Sequence, residues 1–581
     1  MAQHTRIWGV PCSVRRVVLA CLPALALLML AAPALGRPNV VVLMTDDQTL
    51  ASLSVMPRTN ALIGDQGTRF EQAISTFPLC CPSRTTALTG QYSHNHGVIS
   101  NRGAFGAGTL VLQHQNTLPV WLQQAGYRTM HIGRYLNFYE YSDGIPPGWS
   151  DWYGSPHSGA FNYVRWRVNE NGSLVQYPVA SHPGEYLTDY QGRKARELIE
   201  AAAPGEQPFY LQVWFVAPHR GGPRDSDDPR TPGTPSPAPR HRDTFASWTM
   251  PRPPSFDEPN MYDKPQEVYD RPRLDPDTEA GIEENWRQEL ESLQAVDEAV
   301  GGIVETLERT GELANTLILF TSDNGYMHGE HRAKAEKVLL YEPAIRIPLL
   351  MRGPGVPSGF VDPRPVGNID LAPTIVAATG AAPGRDMDGR SLLDLVADRS
   401  AWFGRDLLLE NGRGANGVDP FRGIRTGRFV YARYLTTGEY ELYDLETDPY
   451  QLRSLDGNDS YAAVQRDLAG RLRRLRGCAG ASCRLEPALS LRLRSAGRPL
   501  SPGACPRGDL RVRLAGRDRN RVVRAVVRVG NRRIARVAAP PISRRIDPPR
   551  VRRGRRYVLR VQAVLRDGRI YTLDRRLRAC R

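Results

Sequence analysis

Three short apolar runs end in polar or acidic clusters. Asn39–Thr45 reads NVVVLMT and stops at Asp46-Asp47; Phe209–Ala217 reads FYLQVWFVA and stops at Pro218-His219; Thr316–Thr321 reads TLILFT and stops at Ser322-Asp323-Asn324-Gly325. Runs that are apolar at every position predict strands buried on both faces, as in a parallel sheet covered by helices. Ahead of the third run, Leu290, Leu293, Val296, Val300, Ile303, Val304 and Leu307 recur at helical spacing and predict a helix that covers this sheet. In open α/β sheets, ligands bind beyond the carboxyl ends of the strands. Asp46, Asp47, His219, Asp323 and Asn324 all sit at such ends. Three carboxylates and an amide make an all-oxygen cluster suited to a hard divalent cation, Ca²⁺ or Mg²⁺.

The pattern changes at both ends of the chain. Residues 17–32, VVLACLPALALLMLAA, are an apolar run of 16 that follows Arg6, Arg15 and Arg16 and precedes Ala-Pro-Ala-Leu-Gly. A spanning helix needs about 20 residues, so residues 1–36 read as a signal peptide cleaved after Ala34 or Gly36, and the protein as secreted. An uncleaved anchor is the alternative, and the Arg15-Arg16 pair leaves both Sec and Tat export open. Beyond Cys478, runs such as LRVRL, RVVRAVVRV and RRYVLRVQAVL alternate apolar residues with arginine between Gly/Pro breaks. That alternation predicts a small antiparallel β-sandwich with arginine on the wet face.

Composition changes the picture in two places. The 581 residues, 41% hydrophobic and 24% charged, suit a globular chain of two to four domains and exclude a fibrous repeat or multi-span membrane protein. The formal net charge of +15 is unevenly spread: residues 471–581 hold 33 arginines, no lysine and 6 acids, a net +27 against −12 for the rest. This tail suits an anionic polymer, a sulfated glycan or a cell-wall polyanion, with a merely solvated face as the alternative. No nucleic-acid partner is expected of an exported chain without a binding motif. With Cys12 and Cys21 lost in the signal, Cys478, Cys483, Cys505 and Cys580 predict two tail disulfides in one of three connectivities. Cys80 and Cys81 are adjacent and cannot easily pair with each other.

Residues 80–90, CCPSRTTALTG, supply their explanation. Cys80-x-Pro82-Ser83-Arg84, followed by Thr89-Gly90, resembles the signature of the type I sulfatases. Further pieces of that family's pattern stand in order: Asp46-Asp47, Arg134 in GYRTMHIGRYLN, Pro218-His219, SDNG at 322–325, Lys337 before Tyr341-Glu342, and YELYDLETDPYQLRSL, which is similar to the family's closing hairpin. The resemblance covers about residues 37–475. In CCPSR, HNHGV, GRYLN, SDNGYMHGEH and PRPPSFDEP it looks most like the N-acetylglucosamine-6-sulfatase branch, which includes heparan-type sulfatases. It implies an α/β fold, an alkaline-phosphatase-like sandwich with a mostly parallel central sheet and a small C-terminal antiparallel sheet. The expected organisation is a signal peptide at 1–36, a catalytic α/β domain at 37–390, a C-terminal sulfatase subdomain at 391–475 and an Arg-rich accessory β-domain at 478–581.

The resemblance also implies a chemistry. Cys80 would be oxidised to Cα-formylglycine by the formylglycine-generating enzyme, and one hydroxyl of the aldehyde hydrate would attack sulfur while the other later expels sulfate. Asp46, Asp47, Asp323, Asn324 and the modified Cys80 would hold Ca²⁺, or Mg²⁺, which polarises a sulfate oxygen. Asp323 is the implied base, Arg84 would hold the hydrate and, with Arg134 and Lys337, balance the sulfate charge, and His219 with Lys337 would protonate the departing sugar oxygen. Pro82 is expected to open a helix whose free N–H groups and dipole favour an anion. The sequence departs from the family at Arg134, usually Lys, and at Leu136, often His. The proton acceptor for sulfate release is therefore open, with His94 and His96 as candidates, and Lys334 is the substitute for Lys337. Residues 221–259, rich in Pro, Gly and Asp, read as a long surface loop at the substrate rim. The expected function is a secreted, calcium-dependent sulfatase acting on sulfated carbohydrate of a glucosamine-6-sulfate kind. The alternatives are a phosphonate or phosphate monoester hydrolase of the same superfamily and a catalytically inactive glycan-binding relative.

Overall fold

The first apolar run becomes the middle of a ten-stranded sheet. A computed structural model describes residues 37–581 except 104–107, 227, 398–404, 413–418, 485–488, 496–497, 501–504, 507–508, 516–518, 530–531, 539–542, 547–554, 567–569 and 581. The expected signal peptide, with Cys12 and Cys21, lies outside the described residues. The strands are β1 (Asn39–Asp46), β2 (Thr68–Ile74), β3 (Arg128–Arg134), β4 (Asp151–Ser155), β5 (Arg167–Glu170), β6 (Ser173–Gln176), β7 (Phe209–Pro218), β8 (Thr316–Ser322), β9 (Leu349–Arg352) and β10 (Phe360–Gly367). Their order is β10-β2-β9-β8-β1-β7-β3-β4-β5-β6. The three apolar runs are thus neighbours, β8-β1-β7, and β1 is parallel to both flanking strands. β3 and β4 extend the parallel part, while β9 enters antiparallel beside β8.

Helices cover both faces, which is why these strands show no polar alternation. On one face Val40, Val42 and Met44 pack with Leu88 of α1 (Cys80–Thr89). On the other, Val41 and Leu43 pack with Leu198 and Ile199 of α2 (Leu187–Ala202) and with Leu293, Val296 and Ile303 of α3 (Pro276–Arg309). Each such side chain contributes about 1.5–3 kcal/mol on burial. The expected covering helix is α3; it starts at Asp275, whose side chain accepts from Thr278 N at 2.8 Å, with Pro276 at its first position. Leu371 and Ile375 of α4 (Leu371–Thr379) complete the first face.

A second, antiparallel sheet joins β11 (Leu407–Glu410), β12 (Phe421–Arg425), β13 (Phe429–Tyr434) and β14 (Tyr440–Asp444) in sequence order. Leu468 and Leu472 of α5 (Ala462–Leu475) pack against it. The arginine-rich tail forms two further four-stranded antiparallel sheets. One has the order β16-β15-β17-β20, from β15 (Ser490–Ser495), β16 (Arg498–Pro499), β17 (Leu510–Ala515) and β20 (Ser543–Ile546). The other has the order β19-β18-β21-β22, from β18 (Val522–Val529), β19 (Arg532–Ala538), β21 (Arg556–Leu565) and β22 (Ile570–Arg578). Their inner positions, Leu493, Val512, Leu559 and Val561 among them, share one core.

The tail disulfides are Cys478–Cys483 and Cys505–Cys580, one of the three possible connectivities. Cys80 and Cys81 are free and buried. Cys478 and Cys483 lie in the same core as α5, and Gly480 N donates to Asp388 Oδ1 at 2.6 Å. We therefore propose that the accessory region begins after Arg484, not at 478, because the first disulfide loop is fastened to the body. Among the described residues no helix is long and apolar enough to cross a membrane.

Candidate active site

The ends of β1, β7 and β8 converge on the start of α1. Beyond β1 the chain turns at Asp47, which holds φ at 72°, a left-handed conformation that aspartate tolerates better than most residues. Asp47 N donates to Asp323 Oδ1 at 3.2 Å, and Asp323 N donates to Thr45 O at 3.1 Å. Oxygens of Asp46, Asp47 and Asp323 come within 4.8 Å of one another, and donor atoms of Asp46, Cys80 and His219 do the same. Asn324 Nδ2 donates to Asp47 Oδ1 at 2.6 Å, while Asn324 Oδ1 is buried with no hydrogen-bond partner. Three clustered carboxylates and an orphaned buried amide oxygen are the donor set that a hard divalent cation takes. The residues present fit such an ion.

Cys80 faces this cluster. Its Sγ is 3.0 Å from Lys337 Nζ and 3.5 Å from Asp46 Oδ1. Burial pushes the thiol up to about 11 against the opposing charge of Lys337, so at neutral pH the unmodified group is a protonated, weak nucleophile. Cys81 points the other way: its Sγ accepts from Asn137 N at 3.2 Å and sits in the apolar core beneath the sheet. The start of α1 is pinned by Ser83, whose hydroxyl donates to Asp323 O and accepts from Asn368 Nδ2 at 2.8 Å, and by Ser75, whose hydroxyl donates to Asp323 O at 2.8 Å.

One turn along, Arg84 is wholly buried. Its Nε donates to Asp323 Oδ2 at 2.9 Å, Nη2 to Asp46 Oδ2 at 2.8 Å, and Nη1 to the carbonyls of Arg134 and Tyr135 at 2.8 and 3.0 Å. Its guanidinium lies 5.3 Å from the Trp214 ring centroid. Arg134 bonds Asp46 and Asn137 and lies 4.4 Å over the Phe161 ring; burial pulls its pKa down to about 10, so it stays charged at neutral pH. Lys337 donates to Asp47; burial pulls its pKa down, but Asp47, Cys80 and Asp323 outweigh that and hold it above the ordinary lysine value. Lys337 arrives on a loop with left-handed His331, Arg332, Ala335 and Val338, the last at φ 85° and anchored by its N–H to Pro78 O at 3.1 Å. A β-branched residue there costs about 1–3 kcal/mol, strain that persists where the surroundings enforce it.

His219 Nδ1 donates to Arg220 O at 2.7 Å, which leaves Nε2 toward Asp47 Oδ2 at 3.7 Å. Burial first, then the charges of Lys337 and Arg134, hold its pKa well below the ordinary value. The ring is neutral at pH 7 with its proton on Nδ1. Of the two expected proton donors, Lys337 is the charged one. The side chains of Asp46, Asp47 and Asp323 carry three negative charges and those of Arg84, Arg134 and Lys337 three positive ones.

Other expectations fall outside this constellation. His94 spans Glu410 Oε1 at 3.0 Å and Cys478 O at 2.9 Å, and His96 Nε2 meets Thr86 Oγ1 at 3.0 Å. Their partners are structural, so neither is placed as the proton acceptor. Lys334 is exposed whereas Lys337 is buried. The helix opens at Cys80, with Pro82 in its first turn; Cys81 N donates to Asn101 Oδ1 at 2.8 Å and Ser83 N to Leu79 O at 3.0 Å. Those two amides are engaged within the protein. Residues 221–259 fasten partly onto the helices: Arg240 pairs with Asp189 of α2 at 2.7 Å and Glu298 of α3 at 2.5 Å.

Sequence reasoning missed Asn137, which orients Arg134, and the buried pair Glu289–His328, joined at 2.8 Å and within electrostatic reach of Asp47 and Lys337. Asn137 was signalled by GRYLN and His328 by SDNGYMHGEH, but nothing marks Glu289 within its helix.

Comparison with known proteins agrees with this geometry. The family profile described as Sulfatase matches residues 38–381, and the one described as N-sulphoglucosamine sulphohydrolase, C-terminal, matches residues 329–477. An arylsulfatase of Volvox carteri is 33% identical over 526 residues, covering 81% of this chain and 79% of its own. The N-acetylglucosamine-6-sulfatase of Homo sapiens is 34% identical over 427 residues, covering 69% of this chain and 74% of its own. A solved structure in complex with its substrate D-glucosamine-2-N,6-O-disulfate has the same fold, with a TM-score of 0.62 at 24% identity over 77% of this chain and 98% of that one.

Proposed function

We propose, from the premise that the chain belongs to the sulfatase family and is a sulfuric ester hydrolase, that it removes sulfate from a sulfated carbohydrate of the glucosamine-6-sulfate kind. The observation that carries the site assignment is the placement of Cys80 Sγ 3.0 Å from Lys337 Nζ and beside the carboxylate cluster of Asp46, Asp47 and Asp323. Cys80 is the residue we assign to conversion by the formylglycine-generating enzyme; the hydrated aldehyde would supply two hydroxyls on one carbon, one to open the ester and one to expel sulfate. Asp46, Asp47, Asp323, Asn324 and the modified residue would hold a Ca²⁺, or Mg²⁺, which would supply positive charge against the sulfate oxygens.

The chain's own residues account for the rest. The site's six charged side chains balance, so a divalent ion leaves it with an excess of two positive charges to meet a sulfate ester. Arg84 clamps Asp323 and Asp46 and fixes the turn of α1 that presents Cys80. Asp323, held by Arg84 Nε and the Asp47 N–H, is the base on the attacking hydroxyl. Arg134, with its planar face on Phe161, directs its guanidinium at the sulfate. Lys337 gives its proton to the departing sugar oxygen; neutral His219, with its proton on Nδ1, presents Nε2 as an acceptor only and leaves the donation to Lys337.

The glucosamine reading is supported by the human relative and by the substrate of the structural neighbour. The same reading has the protein exported by residues 1–36 and gives its arginine-rich tail a polyanionic polymer as partner. The deciding experiment is turnover on a panel of mono-sulfated glucosamines, with 4-nitrophenyl sulfate and phosphate in parallel. Preference for the 6-O-sulfate over the 3-O- and N-sulfates is expected. Faster release of phosphate than of sulfate would replace the reading with a phosphate monoester hydrolase.

A further inference from the structure

One of the two tail sheets gathers its arginines on a single exposed face. On the sheet of β15, β17 and β20, Leu491, Leu493, Leu510, Val512, Leu514 and Ile546 are buried, and Arg492, Arg494, Arg511, Arg513 and Arg545 are exposed. The strand register sets these arginines opposite one another: Arg492 against Arg513, Arg494 against Arg511, and Arg511 against Arg545. Arg494, Arg511 and Arg545 thus form one row across three strands, and Arg492 and Arg513 begin the next row. With strands about 4.8 Å apart and like-facing residues about 6.7 Å apart along a strand, five guanidiniums occupy a patch roughly 10 Å by 7 Å. Like charges directly opposite on a sheet destabilise it. Among the described residues no carboxylate lies in ion-pair range of Arg492, Arg494, Arg511 or Arg513, and Arg545 reaches Asp509 only at 3.9 Å.

The companion sheet is compensated at one position. There Arg560 of β21 stands opposite Asp574 of β22, and the two form an ion pair at 2.8 Å. Opposed arginines recur there, Arg556 against Arg578 and Arg528 against Arg533 and Arg560; the first sheet is set apart by gathering five on one exposed face where, among the described residues, a carboxylate comes only as near as 3.9 Å.

We propose that the exposed face of β15, β17 and β20 is a binding site for a linear sulfated polysaccharide. This rests on the reading of the body as a carbohydrate sulfatase. An arginine fork matches a sulfate group through two parallel hydrogen bonds, and the two rows allow successive sulfates of one chain to be met together. The outward positions of the face carry arginine and serine and no aromatic side chain on which a base could stack, which sets single-stranded nucleic acid aside. The site retains the polymer while the body, whose candidate residues all precede Cys478, removes its sulfates.

The test compares two full-length variants of equal charge: Arg492→Ser, Arg511→Ser, Arg513→Ser and Arg545→Ser on the proposed face, and Arg524→Ser, Arg536→Ser, Arg556→Ser and Arg576→Ser on the companion sheet. Affinity for immobilised heparin is measured at physiological salt, with double-stranded DNA of similar length as competitor. The first variant should lose tenfold or more in affinity and the second less than threefold. Equal losses would show diffuse charge in place of a site, unchanged binding in the first variant would remove the face altogether, and competition by DNA at equal charge concentration would assign it to nucleic acid. The Tm of the first variant should hold or rise, since opposed like charges are removed. Should it fall, the pair Arg492→Ser and Arg513→Ser alone makes the same comparison. Turnover of 4-nitrophenyl sulfate is followed separately: its absence in the parent protein would sink the sulfatase reading while leaving the heparin result standing, and its retention in both variants separates polymer binding from catalysis.

Discussion

Arg84 and Asp323 meet at 2.9 Å with neither side chain exposed to solvent, and the same guanidinium reaches Asp46 at 2.8 Å. One arginine thereby ties the ends of two parallel strands to the helix that carries Cys80. Breaking a buried pair leaves an uncompensated charge and costs about 3–5 kcal/mol. Arg84→Ala should therefore lower thermal stability by about that amount after chelation, and by less in millimolar calcium, where a cation offsets the carboxylates. Calorimetry in the two conditions checks this; equal losses in both would separate Arg84 from the metal ligands.

Cys80, and not Cys81, should carry the oxidised side chain. Mass spectrometry of the peptide spanning residues 70–84 should find two hydrogens lost and sulfur replaced by oxygen at Cys80. Cys80→Ala should abolish turnover. Cys81→Ala, which removes a sulfur from the core at a cost of about 1–2 kcal/mol, should retain most of it.

The carboxylate cluster should bind a hard divalent ion. At calcium concentrations 100-fold above Kd the native state gains about 2.7 kcal/mol, readable as a rise in Tm. Asp323→Ala should lose that calcium-dependent rise together with activity, because the remaining oxygens under-ligate the ion. A calcium response that survives in Asp323→Ala would move the metal elsewhere.

Lys337 should matter in proportion to how poorly the leaving group departs. A general acid contributes about 10²–10⁴-fold. Lys337→Ala should therefore lose that much in kcat on a glucosamine sulfate, whose alkoxide needs a proton, and far less on 4-nitrophenyl sulfate, whose phenolate does not. Equal losses on both would make Lys337 a charge-balancing residue only.

His94 offers a pH signature away from the metal ligands. Burial alone would lower its pKa, but the Glu410 carboxylate outweighs this and holds it above the ordinary 6.5. A raised folded-state pKa contributes stability that is complete below pH 6.5 and is lost as pH rises through the folded value. Wild-type protein should therefore lose about 1.5–3 kcal/mol relative to His94→Gln on going from mildly acidic to alkaline pH, the worth of a hydrogen bond to a charged group. Denaturant titrations of both proteins at several pH values check it. A constant difference across pH would mean that the pair never titrates.

The sequence by itself determined the strands and the chemistry they carry. Periodicity is local, so runs such as NVVVLMT already announced burial on both faces, and the tail's Arg–apolar alternation announced a sandwich. The order of Asp46-Asp47, CCPSR, Pro218-His219 and SDNG marked the residues that the fold then gathers. The tertiary structure alone decided what depends on which distant segments become neighbours. The partners of Arg134, 88 residues from Asp46, follow from placing β3 two strands from β1, which no local pattern states. The inert position of Cys81 is set by which side of α1 faces the sheet core, and the fastening of Cys478–Cys483 to the body by Asp388 and His94. His94 and His96 looked available because their chemistry is visible in sequence, whereas their partners Glu410, Cys478 and Thr86 are not. The opposed arginines of the tail belong to the same class: alternation puts each of them in water, but only the register between strands, fixed by the pairing of buried Leu510 with Ile546, puts them opposite each other.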